Sequence, residues 1–112
     1  EGEKWIDRLP GPYTLIFRLK ASSAVAAAVN LSSGTLGIRI PRHWISELVA
    51  ELGIPIVSTS ANITGEPYMT SIDDLEESIS QNVDFAIYEG EKQGRPSTIV
   101  KLFEKEAEVV ER

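Results

Sequence analysis

The chain has no cysteine, which rules out a disulfide scaffold, Cys-ligated zinc and thiol redox chemistry. It has one histidine, His43, so a Ser-His-Asp triad would have to be built on that residue. His43 follows Pro41-Arg42 at an exposed helix start, which marks it as a surface residue. No apolar run approaches the roughly 18 residues needed to span a bilayer, and no signal peptide is visible. The expected location is cytoplasmic, with no membrane partner. A Walker-type Gly-x-x-x-x-Gly-Lys loop and a Gly-x-Gly-x-x-Gly loop are both missing, so a bound nucleotide would need a different cradle. Positive charge is scarce too: 11 Lys and Arg stand against 17 Asp and Glu, for a net charge of −6. The deficit is uneven. Residues 1–60 hold six bases and five acids, whereas residues 61–112 hold five and twelve. A nucleic-acid binder usually shows a basic face, and here only Arg18, Lys20, Arg39 and Arg42 could supply one. The charge gives no support to tRNA or double-stranded RNA binding.

What is present fits one mixed α/β unit. The hydrophobic share of 42% and charged share of 25% are ordinary for a globular protein, and 112 residues allow one core at most. Tyr13 to Leu19 alternates, with Tyr13, Leu15, Phe17 and Leu19 inward, which predicts a strand. Lys20 to Gly34 is a long connection whose alanine-rich middle allows one or two helical turns. Thr35 to Pro41 alternates strictly. Leu36, Ile38 and Ile40 share its apolar face, and Thr35, Gly37 and Arg39 share the other. After Pro41, the positions of Trp44, Ile45, Leu48, Val49 and Leu52 predict a helix, with Gly53 as a left-handed cap. Ile54-Pro55-Ile56-Val57 reads as a short buried strand. Thr70 or Ser71 caps a second expected helix with the stripe Ile72, Leu75 and Ile79. Phe85 to Tyr88, Thr98 to Leu102 and Glu108 to Glu111 read as further short strands.

The segment Ser58-Thr59-Ser60-Ala61-Asn62-Ile63-Thr64-Gly65-Glu66-Pro67 is the most informative stretch. Polar groups just past the carboxyl end of a strand are where open α/β sheets hold ligands. Ser60 and Asn62 would point the same way if extended, and a hydroxyl with two amide hydrogens suits phosphate or carboxylate oxygens. An ordinary Asn-Ile-Thr-Gly turn accounts for the same residues, and both readings stand. On Thr35-Leu36-Gly37-Ile38-Arg39, glycine leaves a shallow floor between threonine and arginine. Arg39 there could fork onto a carboxylate or phosphate, or simply face solvent. The acidic runs Asp73-Asp74-x-Glu76-Glu77 and Glu104-x-Glu106-x-Glu108 lack a calcium-loop pattern and read as solvated faces. Trp5 and Trp44 read as helix-face packing residues.

Taken in order, Leu9-Pro10-Gly11-Pro12-Tyr13-Thr14-Leu15, Thr35 to Pro41, Ser58 to Pro67 and Arg95-Pro96-Ser97-Thr98-Ile99-Val100 resemble the YrdC-like family of threonylcarbamoyl-AMP synthases. The resemblance implies an α/β (α+β) fold: a twisted mixed sheet flanked by helices, here incomplete. It covers nearly the whole chain but not the whole family domain. Family members begin with a Pro-Thr-Asp/Glu-Thr-x-Tyr-Gly-Leu strand and turn and a Lys-x-Arg phosphate motif, neither of which occurs in these residues. The chain starts without methionine, in what looks like the tail of a helix ending near Arg8. Residues 1–112 are therefore expected to be the C-terminal portion of a single YrdC-like domain, inactive alone.

The resemblance further implies a nucleotidyltransferase that condenses ATP, L-threonine and bicarbonate into threonylcarbamoyl-AMP and pyrophosphate. That product feeds threonylcarbamoyladenosine modification of tRNA by downstream transferase machinery. Mg²⁺ would accompany ATP. Ser60 and Asn62 match the family's Ser-x-Asn and are the implied catalytic pair. Thr35, Asn62, Thr70 and Arg112 match ATP contacts. Arg39, Ser60 and Ser97 match threonine contacts, and no metal ligand is implied. The alternatives are a non-catalytic RNA-binding or partner-docking module, or a domain of a carbamoyltransferase.

Overall fold

A computed structural model describes residues 2–30, 33–103 and 106–111. Its elements run α1 (Gly2–Ile6), β1 (Tyr13–Arg18), α2 (Ala27–Asn30), β2 (Thr35–Ile38), α3 (Trp44–Leu52), α4 (Glu77–Ser80), β3 (Thr98–Lys101) and β4 (Glu108–Val110). The chain divides into two compact units. One holds residues 1–57 and 97–112, and the other holds Ser58–Pro96.

The first unit is built on a four-stranded mixed sheet in the order β2-β1-β3-β4. β1 pairs antiparallel with β2 and parallel with β3, and β3 pairs antiparallel with β4. Leu15 lies opposite Val100. These are the buried hydrophobic residues among those described, each with no exposed surface. Complete burial of each side chain stabilises by about 1.5–3 kcal/mol. Strand pairing accounts for the extensive element-to-element packing among the described residues.

α3 forms where its spacing predicts, and its ends explain its length. His43 is the N-cap, with Nδ1 accepting from the Ile45 amide at 3.3 Å. The Ser46 hydroxyl donates to the Pro41 carbonyl at 2.7 Å. Gly53, at φ 72°, donates its N–H back to Val49 and Ala50, a left-handed exit that a side chain would oppose. Arg42 is exposed, and its Nε donates to the Pro10 carbonyl at 2.9 Å. Nearby, the Gly11 amide donates to Ile40 at 2.9 Å. Trp5 packs edge-on to Tyr13 at 5.4 Å, with Arg8 over its ring. Trp44, by contrast, is exposed on α3.

Three expectations fail. Ile54–Val57 is not a strand and is not buried, with Val57 74% exposed. Phe85–Tyr88 is likewise irregular, with Phe85 76% exposed. An apolar run becomes a strand only when a neighbouring backbone takes up its hydrogen bonds, and no described strand pairs with either segment. The second helix is broken. Residues Ile72–Asp74 make one 3₁₀ turn, Leu75 is extended (ψ 116°), Glu76 is non-helical (ψ 134°), and α4 restarts at Glu77. Short acidic and hydroxyl side chains there bond to their own backbone, which competes with helix propagation. Glu104 of the second acidic run lies outside the described residues, and Glu108 pairs with Lys101 at 3.1 Å.

Leu15→Ala should lower the unfolding free energy by about 2–5 kcal/mol. Leu48→Ala on α3, where Leu48 is 53% exposed, should lower it by less than about 1.5 kcal/mol. Urea denaturation of both variants checks this, and equal midpoints would show that the sheet is not the core.

Candidate functional site

The pleat that buries Leu15 and Val100 turns alternate residues to the other side of the sheet. Ile16 pairs with Gly37, and Arg18 pairs with Thr35, so these residues share that second face. Thr14 shares it too: a Cβ added to Gly37 would lie 3.3 Å from Thr14 Cγ2 and 4.0 Å from Ile16 Cγ1. Glycine at 37 therefore lets the Thr14 methyl lie close over this part of the sheet. Arg39 follows the last residue of β2, Ile38, and is exposed, with its guanidinium in no ion pair or hydrogen bond among the described residues.

Ser97, one residue before β3, joins this face through a hydrogen bond. Thr14 Oγ1 and Ser97 Oγ lie 2.6 Å apart and are partly buried, across a sequence separation of 83 residues. Thr35 sits at the far end, where its hydroxyl and amide are engaged by Ser33 Oγ at 3.2 and 3.3 Å. The first unit thus brings Thr35 and Ser97 to one sheet face, with Arg39 just past the end of β2, and it adds Thr14, which the sequence reading placed in a strand and a family motif without giving it a contact. The available signal was the outward register of Thr14 beside Gly37. Its partner 83 residues away was not readable.

A cleft of about 720 Å³ elsewhere in the unit is lined by Leu19, Ser23, Val25, Ala26, Ala27, Asn30 and Gly34. None of these can carry charge.

In the second unit, the Ser58–Pro67 segment is irregular rather than extended, and Ser60 is exposed. Asn62 folds into its own turn. Its Nδ2 donates to the carbonyls of Ile63 and Glu66, each at 3.0 Å, and the Glu66 amide closes the turn on Ile63 at 2.9 Å. Gly65, at φ 89°, supplies the left-handed residue the turn needs. Asn62 Oδ1 is enclosed and has no partner among the described residues. Both amide hydrogens are therefore spent inside the turn.

Thr70 lies beside the Ser71-capped 3₁₀ turn. Its amide and hydroxyl both donate to Asp74 Oδ2 at 3.2 Å, and the Ser71 amide does so at 3.1 Å. The Thr70 amide, then the Ser71 amide and the Thr70 hydroxyl, hold the Asp74 carboxyl below its ordinary pKa. Ser71 is the cap, which settles the choice between Thr70 and Ser71. Arg112 lies outside the described residues. No three His, Asp or Glu side chains converge among the described residues, so those present form no cage for a divalent ion.

Comparison with known proteins agrees with this architecture. The sequence profile of the Sua5/YciO/YrdC family, described as Telomere recombination, matches residues 2–112. The chain belongs to that family. A protein of Methanocaldococcus jannaschii is 38% identical over 103 residues, covering 89% of this chain and 46% of its own. The threonylcarbamoyl-AMP synthase of Vibrio campbellii is 36% identical over 93 residues, covering 80% and 49%. The crystal structure of P. abyssi Sua5 complexed with L-threonine superposes with a TM-score of 0.80 at 31% identity, over 96% of this chain and 32% of that one. The E. coli YciO crystal structure gives a TM-score of 0.77 at 26% identity, over 98% and 54%. The chain spans about half the length of the first two relatives.

Two outcomes are expected in the second unit. Asn62→Ala should speed hydrogen exchange at the Glu66 amide about fivefold, the worth of roughly 1 kcal/mol of hydrogen bonding; an unchanged rate would show that the side chain does not hold the turn. Asp74 has a lowered folded pKa, so its stabilisation of the 70–74 turn is complete above the unfolded value of about 3.9. That stabilisation is lost as pH falls through the folded value. The amide shifts of Thr70 and Ser71, followed by NMR, should show one acidic transition below about 3.9 that is absent in Asp74→Ala. A transition at or above that value would overturn the assignment.

Proposed function

We propose that these residues are the C-terminal portion of a single YrdC-like domain and form part of an L-threonylcarbamoyladenylate synthase. The observation that carries the reading is the sheet face on which Gly37, Thr14 and Ser97 gather, with Arg39 just past the end of β2, in a chain whose family includes proteins named for that activity. A structural neighbour was solved with L-threonine, and a forked cation beside hydroxyls over a glycine floor suits an amino acid. The portion reading is supported by the roughly half-length match to relatives. Exposed apolar residues such as Leu52, Ile54 and Val57 also support it, since a finished domain would cover more of them.

In this reading Arg39 holds the threonine carboxylate and Ser97 bonds the rest of the amino acid. Thr35, Thr70 and Arg112 are assigned to ATP by family match alone. A carbamate oxygen formed from threonine and bicarbonate attacks the α-phosphorus of ATP and pyrophosphate leaves. Such a transfer needs alignment and charge stabilisation more than a protein nucleophile. Magnesium, for which these residues offer no cage, would arrive on the triphosphate. Ser60 faces solvent and is the residue of the Ser-x-Asn pair able to reach a ligand directly. Asn62 contributes through the turn it closes. The product would serve threonylcarbamoyladenosine modification of tRNA in the cytoplasm.

Alone with ATP, bicarbonate and L-threonine, the chain should release no pyrophosphate above a protein-free control. Fused to the unmatched portion of the Vibrio campbellii relative, it should. Release by the chain alone would overturn the portion reading. In the fusion, Arg39→Ala should weaken L-threonine about 10- to 150-fold, the worth of a hydrogen bond to a charged group, and Arg39→Lys should restore part of it. Unchanged threonine kinetics in Arg39→Ala would sink the synthase role of this strand.

A further inference from the structure

We infer that Thr14 is a positioning residue: it fixes the direction of the Ser97 hydroxyl on the sheet face and so sets how that face holds an amino acid. The inference rests on the threonine reading above and adds a residue to it.

The geometry over-determines Thr14. It is a β-branched residue in a strand, with a stiff χ1, and its two γ substituents meet different neighbours. Cγ2 stands over Gly37, close enough that a Cβ there would come within 3.3 Å. Oγ1 reaches Ser97 Oγ at 2.6 Å. Rotating the side chain to release Ser97 would move the methyl off the glycine floor, so the packing of one group sets the direction of the other. The bond is short even for a hydroxyl pair, is partly buried, and joins β1 to the residue before β3. Parallel register places Tyr13 opposite Thr98, and the Thr98 amide donates to the Pro12 carbonyl at 2.9 Å. The backbone on both sides of the pair is therefore held, and the hydroxyls have little room to drift. Whichever hydroxyl donates, the other's lone pairs are oriented by the exchange. A valine at 14 would keep the shape and the methyl over Gly37, but it would leave Ser97 without this partner.

The test compares Thr14→Val, Thr14→Ser and Ser97→Ala with the parent protein. L-threonine and ATP affinities are measured separately by calorimetry on the fusion described above, with thermal midpoints alongside. Thr14→Val should weaken L-threonine about fivefold, the worth of roughly 1 kcal/mol, and leave ATP affinity and the midpoint nearly unchanged. Thr14→Ser, which keeps the hydroxyl, should bind threonine within about twofold of the parent. Equal loss of threonine and ATP binding in Thr14→Val, or no rescue in Thr14→Ser, would make Thr14 merely structural and overturn the inference. So would Ser97→Ala losing threonine affinity while Thr14→Val keeps it. If Ser97→Ala and Arg39→Ala both bind threonine like the parent, the threonine reading itself fails, and the inference with it.

Discussion

The parallel pairing of β1 with β3 is the constraint on which the first unit depends. It sets Leu15 against Val100, the two side chains that are fully buried. A parallel pair cannot be closed by a tight turn, so the chain must leave β1 and return through a long crossover. Here that crossover runs from Leu19 to Ser97 and carries α3, the Ser58–Pro67 segment and the whole second unit. Loss of this pairing would unfasten both edges, since β2 hangs on β1 and β4 hangs on β3.

The same register makes the face proposed for the site. Side chains on a pleated strand alternate, so placing Leu15 and Val100 in the core turns Thr14, Ile16 and Ile99 the other way. Gly37 opposite Ile16 lets the Thr14 methyl pack close on that face, and the Thr14–Ser97 bond lies on the same side. The candidate site and the core are thus two sides of one hydrogen-bonding pattern. A slip of one residue would exchange them.

The second unit works by local bonding. Asn62 closes a turn around Gly65, and Asp74 gathers three donors from Thr70 and Ser71. These are short-range devices that polar side chains perform on their own backbone. They explain why a segment read as a helix from Ile72, Leu75 and Ile79 breaks in the middle. They also explain why the amide of Asn62 is engaged inside its turn rather than held out to an anion.

The amino-acid pattern alone determined the strands at Tyr13, Thr35, Thr98 and Glu108, the helix between Trp44 and Leu52 with its Gly53 exit, and the family likeness. Each rests on a period, a cap or a motif contained within a few neighbouring residues. Only the tertiary structure decided what depends on partners distant in the chain. Among the described residues it left Ile54–Val57 and Phe85–Tyr88 without a strand to pair with, although their composition is that of strands. It joined Thr14 to Ser97, brought Gly37 over the Thr14 methyl, and took Arg42 to Pro10. Periodicity reports which way a side chain faces along its own segment. What it meets there is set by the register with another segment, and that register is a property of the folded chain.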